Sequence, residues 1–192
     1  VSLTDAMGHT MDAALLATVL VGGLRNARRR GVELAEQARL ANDALAEQAG
    51  EGQFVTGLLV RIDLTGAAGI VNAGHPPPLR LRAGQVDQVR LEADRPFGLQ
   101  PGRGYRVQAL QLEVGDRLMF VTDGMLERDA ARMNIAAILT ASMSMHAREA
   151  VQQRRDGVAL LGVVGADERA RREPGQPARP EGERVDAREH HA

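Results

Sequence analysis

The sequence predicts a layered α+β domain in which helices pack on antiparallel strands. Two helical patterns come first, a run of short strands with period-two patterning follows, and helical patterns and one further strand come last. Hydrophobic residues make up 44% of the 192 residues, which suits one domain with a buried core. Aromatic residues make up only 2%, so aliphatic side chains must fill that core.

The helical elements lie near the N-terminus, after a short strand that ends at Asp5 before the turn MGHT. A first helix is expected over residues 12–30. Its segment 13–21 is apolar almost all round, which predicts burial on most sides. Gly22 and Gly23 cost about 1 kcal/mol each relative to alanine unless close packing compensates. A second helix is expected over residues 32–48, where apolar side chains recur at helical spacing.

The strands follow, and their apolar residues alternate with polar ones. The predicted strands are 54–64, 70–72, 79–82, 85–91, 105–112, 117–122 and 158–164. Two more helices are predicted, one over residues 130–142 and a short one near Ala147. The segment from about residue 166 is rich in Arg, Glu, Pro and Gly and has few apolar groups, so we expect a domain over 1–165 and a disordered tail over 166–192.

Composition excludes several classes of function. The chain has no cysteine, which rules out disulfides, thiolate chemistry and zinc–sulfur sites. Its formal net charge of −1 gives no electrostatic basis for binding nucleic acid or an anionic membrane. No apolar run reaches the roughly 20 residues of a membrane helix, and no signal peptide is visible. These features predict a cytoplasmic domain without nucleic-acid or membrane partners.

Three aspartates stand where predicted strands end: Asp5, Asp123 and Asp156. Strand ends converge on one edge of a sheet, so these carboxylates could meet there. Hard oxygen ligands without cysteine favour Mg²⁺ or Mn²⁺ over zinc. The alternative for each aspartate taken alone is a turn or helix cap, and for a single position this is the commoner role.

Taken together, four sequence blocks favour a metal-binding role for these aspartates over a role as turn or helix cap. They are DAMGHT followed by AALL, then NAGHPPPL, then PFGL, then VGDRLMFVTDGMLE. In this order and spacing, over about residues 1–164, the chain resembles the SpoIIE/RsbU branch of the PP2C-like (PPM) serine/threonine phosphatases. The resemblance implies a β-sandwich flanked by helices, in α-β-β-α layers, which here lacks the first strands.

The resemblance also implies a site for two Mn²⁺ or Mg²⁺ ions. Asp5 would bridge the ions, the carbonyl of Ala6 would add a backbone ligand, and Asp123 and Asp156 would complete the set. No protein nucleophile is implied, since water held by the ions attacks phosphorus. His9 is an accessory candidate as general acid, although a turn residue that caps the following helix is the preferred interpretation. His75 is assigned a structural role, because it precedes a proline and stiffens a loop beside the sandwich.

The implied function is hydrolysis of phosphoserine or phosphothreonine on a protein. The resemblance suggests a phosphorylated anti-anti-sigma factor of the STAS type as substrate, within a partner-switching pathway, and a homodimer is conceivable. Relatives carry an upstream GGDxYD-type segment and a longer helix before Asp156, so we expect the chain as it stands to have little activity. The alternatives are a degenerate phosphatase-like domain that only binds a protein partner and a fragment that begins at an incorrect gene start.

Overall fold

The computed structural model describes residues 1–6, 11–121 and 163–165. Within these ranges the chain forms two helices and eight strands. They are β1 (Ser2–Ala6), α1 (Met11–Arg29), α2 (Leu34–Ala46), β2 (Val55–Ile62), β3 (Ala67–Ala73), β4 (Leu79–Arg82), β5 (Gln85–Gln88), β6 (Gln108–Gln111), β7 (Arg117–Met119) and β8 (Val163–Gly165). In this part of the chain, neither helix is long and apolar enough to cross a lipid bilayer.

The strands form two four-stranded sheets in which every pair is antiparallel. The first sheet has the order β1-β2-β3-β6, and the second has the order β5-β4-β7-β8. Apolar side chains from both sheets form one buried cluster, to which Leu58 and Ile70 contribute from the first sheet and Leu118 from the second. The two sheets therefore pack face to face as a sandwich.

The helices α1 and α2 cover the other face of the first sheet. Along β2, Leu58 and Val60 belong to the cluster between the sheets, whereas Val55 and Leu59 belong to a second cluster with the helices. The strand is thus buried on both faces, which is why its apolar residues exceed a simple alternation. Three of the four predicted layers are observed: helices, sheet and sheet. The helices predicted over 130–142 and near Ala147 lie outside the described residues.

The predicted burial of α1 on most sides is wrong for the described part of the chain. One stripe is buried, formed by Ala13, Leu16, Leu20, Leu24 and Ala27. Leu15 is 60% exposed, because α1 contacts α2 and the first sheet through one face only. The cost of Gly23 in the helix is offset by close packing with α2, since a Cβ at this position would lie 3.1 Å from the Cα of Ala41. Gly22 faces open space.

The hairpin between β4 and β5 confirms the predicted turn at Ala83-Gly84. Both residues have positive φ, 48° and 78°, as a type I′ turn requires. The strand predicted over 105–112 is shorter than expected and begins only at Gln108. Tyr105 instead stacks on Phe97 in the helix-side cluster, with ring centroids 4.9 Å apart.

A buried asparagine on α2 organises the irregular segment before β6. The side chain of Asn42 is fully buried, and its Oδ1 accepts hydrogen bonds from the Gly98 N–H and the Tyr105 hydroxyl, both at 3.0 Å. Its Nδ2 donates to the carbonyl of Gln100 at 2.8 Å. Residues 98–105 are therefore tied to α2 rather than to the sheet, which explains the late start of β6.

The turn before β7 holds a buried ion pair. The carboxylate of Asp116 is 1% exposed and accepts two hydrogen bonds from the guanidinium of Arg82, at 2.8 and 2.5 Å. It also accepts the N–H of Glu113 at 2.8 Å. Burial by itself would raise the pKa of Asp116, but the hydrogen bonds from Arg82 and Glu113 lower it below its ordinary value.

We expect Asp116→Asn to destabilise the domain by about 1–3 kcal/mol at neutral pH, because Arg82 loses a buried partner but stays partly hydrated. A lowered pKa in the folded state adds stability above the unfolded pKa, near 4, and this stability is lost as the pH falls through the folded pKa. In urea unfolding, the difference between wild type and variant should therefore shrink as the pH falls from about 5 through the folded-state pKa of Asp116.

Asp87→Asn is the matched control. Asp87 pairs with Arg80 on the surface of the same sheet, where its side chain is 47% exposed. Exposed pairs contribute about 0–1 kcal/mol. If Asp116→Asn and Asp87→Asn had equal effects at neutral pH, the buried pair would not have the assigned role.

Candidate metal centre

Asp5 and Ala6 lie at the end of β1, where that strand pairs with the beginning of β2. Asp5 is opposite Thr56 and Ala6 is opposite Val55, and both β1 residues are half-buried. The backbone of Val55 exchanges two hydrogen bonds with Phe97, at 3.0 and 2.9 Å, on its other side. The strand end that carries Asp5 is therefore held in register by a neighbour that is itself anchored.

A buried histidine follows the next strand of the same sheet. His75 is 3% exposed, and its backbone N–H donates to the Oδ1 of Asn72 at 2.8 Å. Gly74 lies between them with φ 69°, and a Cβ there would lie 2.7 Å from the Cγ of Pro96. Glycine is required at this position by both its φ and the close approach of Pro96. The turn therefore directs the imidazole ring into the protein.

The imidazole ring joins the two sheets. Its Nε2 lies 2.9 Å from the carbonyl oxygen of Val121, and its Nδ1 lies 2.9 Å from the Oγ1 of Thr56. A carbonyl oxygen can only accept, so Nε2 must carry a proton. In the neutral ring, Nδ1 then accepts a hydrogen bond from the Thr56 hydroxyl. The same hydroxyl oxygen lies 3.4 Å from the carbonyl oxygen of Asp5.

This arrangement connects the predicted site residues in part. Asp5 and Ala6 are adjacent at one strand end. Val121 is bonded to His75 and precedes Asp123 by two residues. Asp123 itself, Asp156 and His9 lie outside the described residues, so their assignments stay predictions.

The donors at the end of β1 suit Mg²⁺ or Mn²⁺. Asp5 offers a carboxylate and Ala6 offers a backbone carbonyl, and both are hard oxygen ligands. Among the described residues, no three His, Cys, Asp or Glu side chains form a cluster that could hold a metal by themselves. The described part of the site therefore fits such an ion as a partial ligand set, to which Asp123 and Asp156 would have to add.

The surroundings of His75 include one polar group that has no hydrogen-bond partner among the described residues. The Nδ2 of Asn72 is buried and has no hydrogen bond within the described part of the chain. A buried amide donor normally bonds to water or to another polar group.

Sequence reasoning missed the roles of Thr56 and Asn72. Asn72 and His75 both belong to the block NAGHPPPL, so that block contained a signal for the turn and for the buried ring. Thr56 stands in an apolar alternation and gives no such signal, because its role depends on which residue pairs with β1. Arg28 and Arg29 lie in the last turn of α1, where cations complement the helix dipole, and Arg30 follows the helix.

Comparison with known families shows to which family the chain belongs. The family model described as Stage II sporulation protein E (SpoIIE) matches residues 1–168. The chain belongs to the SpoIIE family. The SpoIIE/RsbU-type assignment within the PP2C-type serine/threonine phosphatases, predicted from the ordered sequence blocks, is confirmed.

Solved structures confirm the PP2C-like α+β fold of this SpoIIE-family chain. The RsbU and RsbW domains of a Mycobacterium tuberculosis protein match with 27% identity and a TM-score of 0.65, over 74% of this chain and 42% of that chain. The PP2C phosphatase domain and a regulatory fragment of Bacillus subtilis SpoIIE match with 20% identity and a TM-score of 0.61, over 84% and 52%. The chain therefore spans about half the length of these two relatives or less.

A third structure is the catalytic domain of the serine/threonine protein phosphatase PstP in complex with two manganese ions. It matches with 17% identity and a TM-score of 0.63, over 84% of this chain and 83% of that chain. At this identity the match supports the fold.

Proposed function

We propose that this SpoIIE-family chain is a metal-dependent phosphoprotein phosphatase domain that removes phosphate from serine or threonine of a STAS-type anti-anti-sigma factor. The observation that carries the proposal is the connection of two strand ends through one buried ring. Thr56, opposite Asp5, and Val121, two residues before Asp123, both bond to His75. The strand end that carries Asp5 is thereby connected through this ring to Val121, two residues before Asp123, which supports the proposal.

In this proposal Asp5, the carbonyl of Ala6, Asp123 and Asp156 hold two Mn²⁺ or Mg²⁺ ions. When bound, such ions polarise a phosphoryl oxygen and provide a nucleophile from water near neutral pH. The protein orients the ligands: the pairing of β1 with β2 fixes the direction of Asp5, and its negative charge attracts the cations. Support for two ions comes from PstP, whose catalytic domain is solved with two manganese ions.

The proposed substrate class rests on the domains and assemblies in which similar proteins occur. The Mycobacterium tuberculosis relative with 27% identity contains an RsbU domain together with an RsbW domain. A further match, with 15% identity and a TM-score of 0.54, comes from structural work on the bacterial stressosome as a modular system adapted to control secondary messenger signalling. Both favour a partner-switching pathway, in which a phosphorylated STAS protein is the expected substrate.

The test is dephosphorylation of a phosphorylated STAS protein by this chain, with Mn²⁺ and with a chelator. We expect slow phosphate release with Mn²⁺, in keeping with the low activity expected of this chain, and none with the chelator. A phosphoserine peptide unrelated to STAS serves as the substrate control, and faster release from the STAS protein would support the proposed class. Tight binding of the STAS protein with no phosphate release at saturating Mn²⁺ would instead support the degenerate binding domain.

A further inference from the structure

We propose that His75 is a positioning residue that sets the separation between the two strand ends leading to Asp5 and Asp123. The inference rests on the proposed function, because it assumes that these aspartates hold the metal ions. It assigns the imidazole ring a task beyond the stiffening of its loop. The ring would act as a spacer of fixed size between the two sheets.

Elsewhere among the described residues, the interface between the sheets is mainly apolar, and the guanidinium of Arg82 in β4 donates an exposed hydrogen bond to the carbonyl of Gln111 in β6 at 3.1 Å. Side chains such as Leu58, Ile70 and Leu118 fill the space between the two sheets. Apolar burial is non-directional, so it opposes separation of the sheets more strongly than small sliding movements. Hydrogen bonds at both nitrogens of a rigid ring define a distance and a direction. At this end of the sandwich, the ring bonds Thr56 of the first sheet and Val121, just after β7 of the second, each at 2.9 Å.

The ring is itself held in place. The Asn72 side chain accepts the backbone N–H of His75, and Pro76 restricts the histidine backbone to extended geometry. The ring is almost fully buried, so few alternative rotamers are open to it. A group that is fixed at both its backbone and its ring can transmit the position of one sheet to the other.

Both contacts of the ring lie next to a predicted ligand segment. Thr56 is the direct pairing partner of Asp5, and its Oγ1 approaches the Asp5 carbonyl at 3.4 Å. Val121 is two residues from Asp123, and two residues of extended chain span at most about 7 Å. Groups that orient metal ligands from behind typically change metal affinity by about 10–100-fold when they are replaced.

The experiment compares Mn²⁺ binding by calorimetry in wild type, His75→Asn, Thr56→Val and Thr56→Ser. Asparagine can place a polar atom near the Nδ1 position, but it is too short to reach Val121. We expect His75→Asn to weaken Mn²⁺ binding by about 10–100-fold. Thr56→Val should weaken it by a smaller factor, and Thr56→Ser, which keeps the hydroxyl, should restore the wild-type value.

Tyr105→Phe is the matched control for Thr56→Val. It also removes one hydroxyl, here a buried one that donates to Asn42 in the helix layer. Tyr105→Phe should lower stability and leave Mn²⁺ affinity unchanged. If His75→Asn does not fold, the comparison of Thr56→Val with Thr56→Ser and Tyr105→Phe still tests the positioning role.

A measurement without metal gives a second, independent readout. In ¹⁵N NMR spectra of the metal-free protein, His75 should show a protonated Nε2 in slow exchange with water and an unprotonated Nδ1. The Nδ1 resonance should shift in Thr56→Val and return in Thr56→Ser. A ring protonated at Nδ1 and bare at Nε2 would contradict the bridge.

The outcomes separate the two proposals. If wild type binds Mn²⁺ and all variants bind it equally well, the positioning role is wrong and the proposed function stands. If wild type binds no Mn²⁺ and releases no phosphate, the proposed function is wrong. The positioning role is then wrong as well, because it assumes the metal site. If His75→Asn lost stability but kept its Mn²⁺ affinity, the role of the histidine would be structural only.

Discussion

Replacement of Asp5 by asparagine should abolish measurable Mn²⁺ binding and lower the turnover of p-nitrophenyl phosphate at least about a hundredfold, which corresponds to roughly 2.7 kcal/mol of activation free energy. Asparagine keeps the shape of the side chain but removes the negative charge that holds a divalent ion. The residue lies at the anchored end of β1, opposite Thr56, so the fold should survive the change. Calorimetry with Mn²⁺ and steady-state kinetics measure the two effects separately.

Asp63→Asn provides the control for this charge removal. Asp63 follows β2 at the end opposite Thr56, at a distance of about 20 Å along the strand. Its Oδ1 accepts the N–H groups of Thr65 and Ala67, and an asparagine Oδ1 can do the same. The control variant should bind Mn²⁺ like wild type. Equal losses in the two variants, or unchanged binding in Asp5→Asn, would remove Asp5 from the metal site.

Replacement of Gly66 by alanine should destabilise the sandwich by about 2–4 kcal/mol, through φ strain of about 1–2 kcal/mol and a displacement that costs a similar amount. Gly66 has φ 85° in the turn between β2 and β3, and its carbonyl accepts the N–H of Leu112 at 2.9 Å. A Cβ at Gly66 would collide with the carbonyl oxygen of Leu112. That oxygen belongs to the backbone, so it can move only together with the end of β6.

Gly84→Ala isolates the backbone part of this effect. Gly84 has φ 78° in the hairpin between β4 and β5, and a Cβ there would meet nothing within 4 Å. It should therefore cost only about 1–2 kcal/mol. Urea unfolding of both variants gives the difference that is due to the contact with Leu112. A cost for Gly66→Ala no greater than that for Gly84→Ala would show that the turn relaxes freely.

Local sequence patterns predicted most of the elements, because they depend on neighbours along the chain. The hairpin at Ala83-Gly84 follows from residues that tolerate positive φ, and α2 follows from apolar spacing. The turn lies at the predicted residues and α2 lies within two residues of its predicted limits, whereas β5 ends three residues early, at Gln88. The strand predicted over 105–112 was misjudged because Tyr105 bonds to Asn42, a residue 63 positions away. No local window contains that contact.

The amino-acid sequence by itself determined the family, and it predicted the kind of site that the family implies. Ordered blocks around Asp5, His75 and Asp123 led to the SpoIIE family, and oxygen-bearing side chains without cysteine indicated Mg²⁺ or Mn²⁺. These inferences need only the identity and order of residues.

Only the tertiary structure decided which face of α1 is buried and how the ends of the two sheets are joined. Leu15 and Leu16 are chemically identical, yet one is 60% exposed and the other is buried, because α2 and the first sheet approach α1 from one side. Thr56 gained its role from its position opposite Asp5 and beside His75. Such roles arise from pairing between distant segments, and the free energy of that pairing is not encoded at any single position.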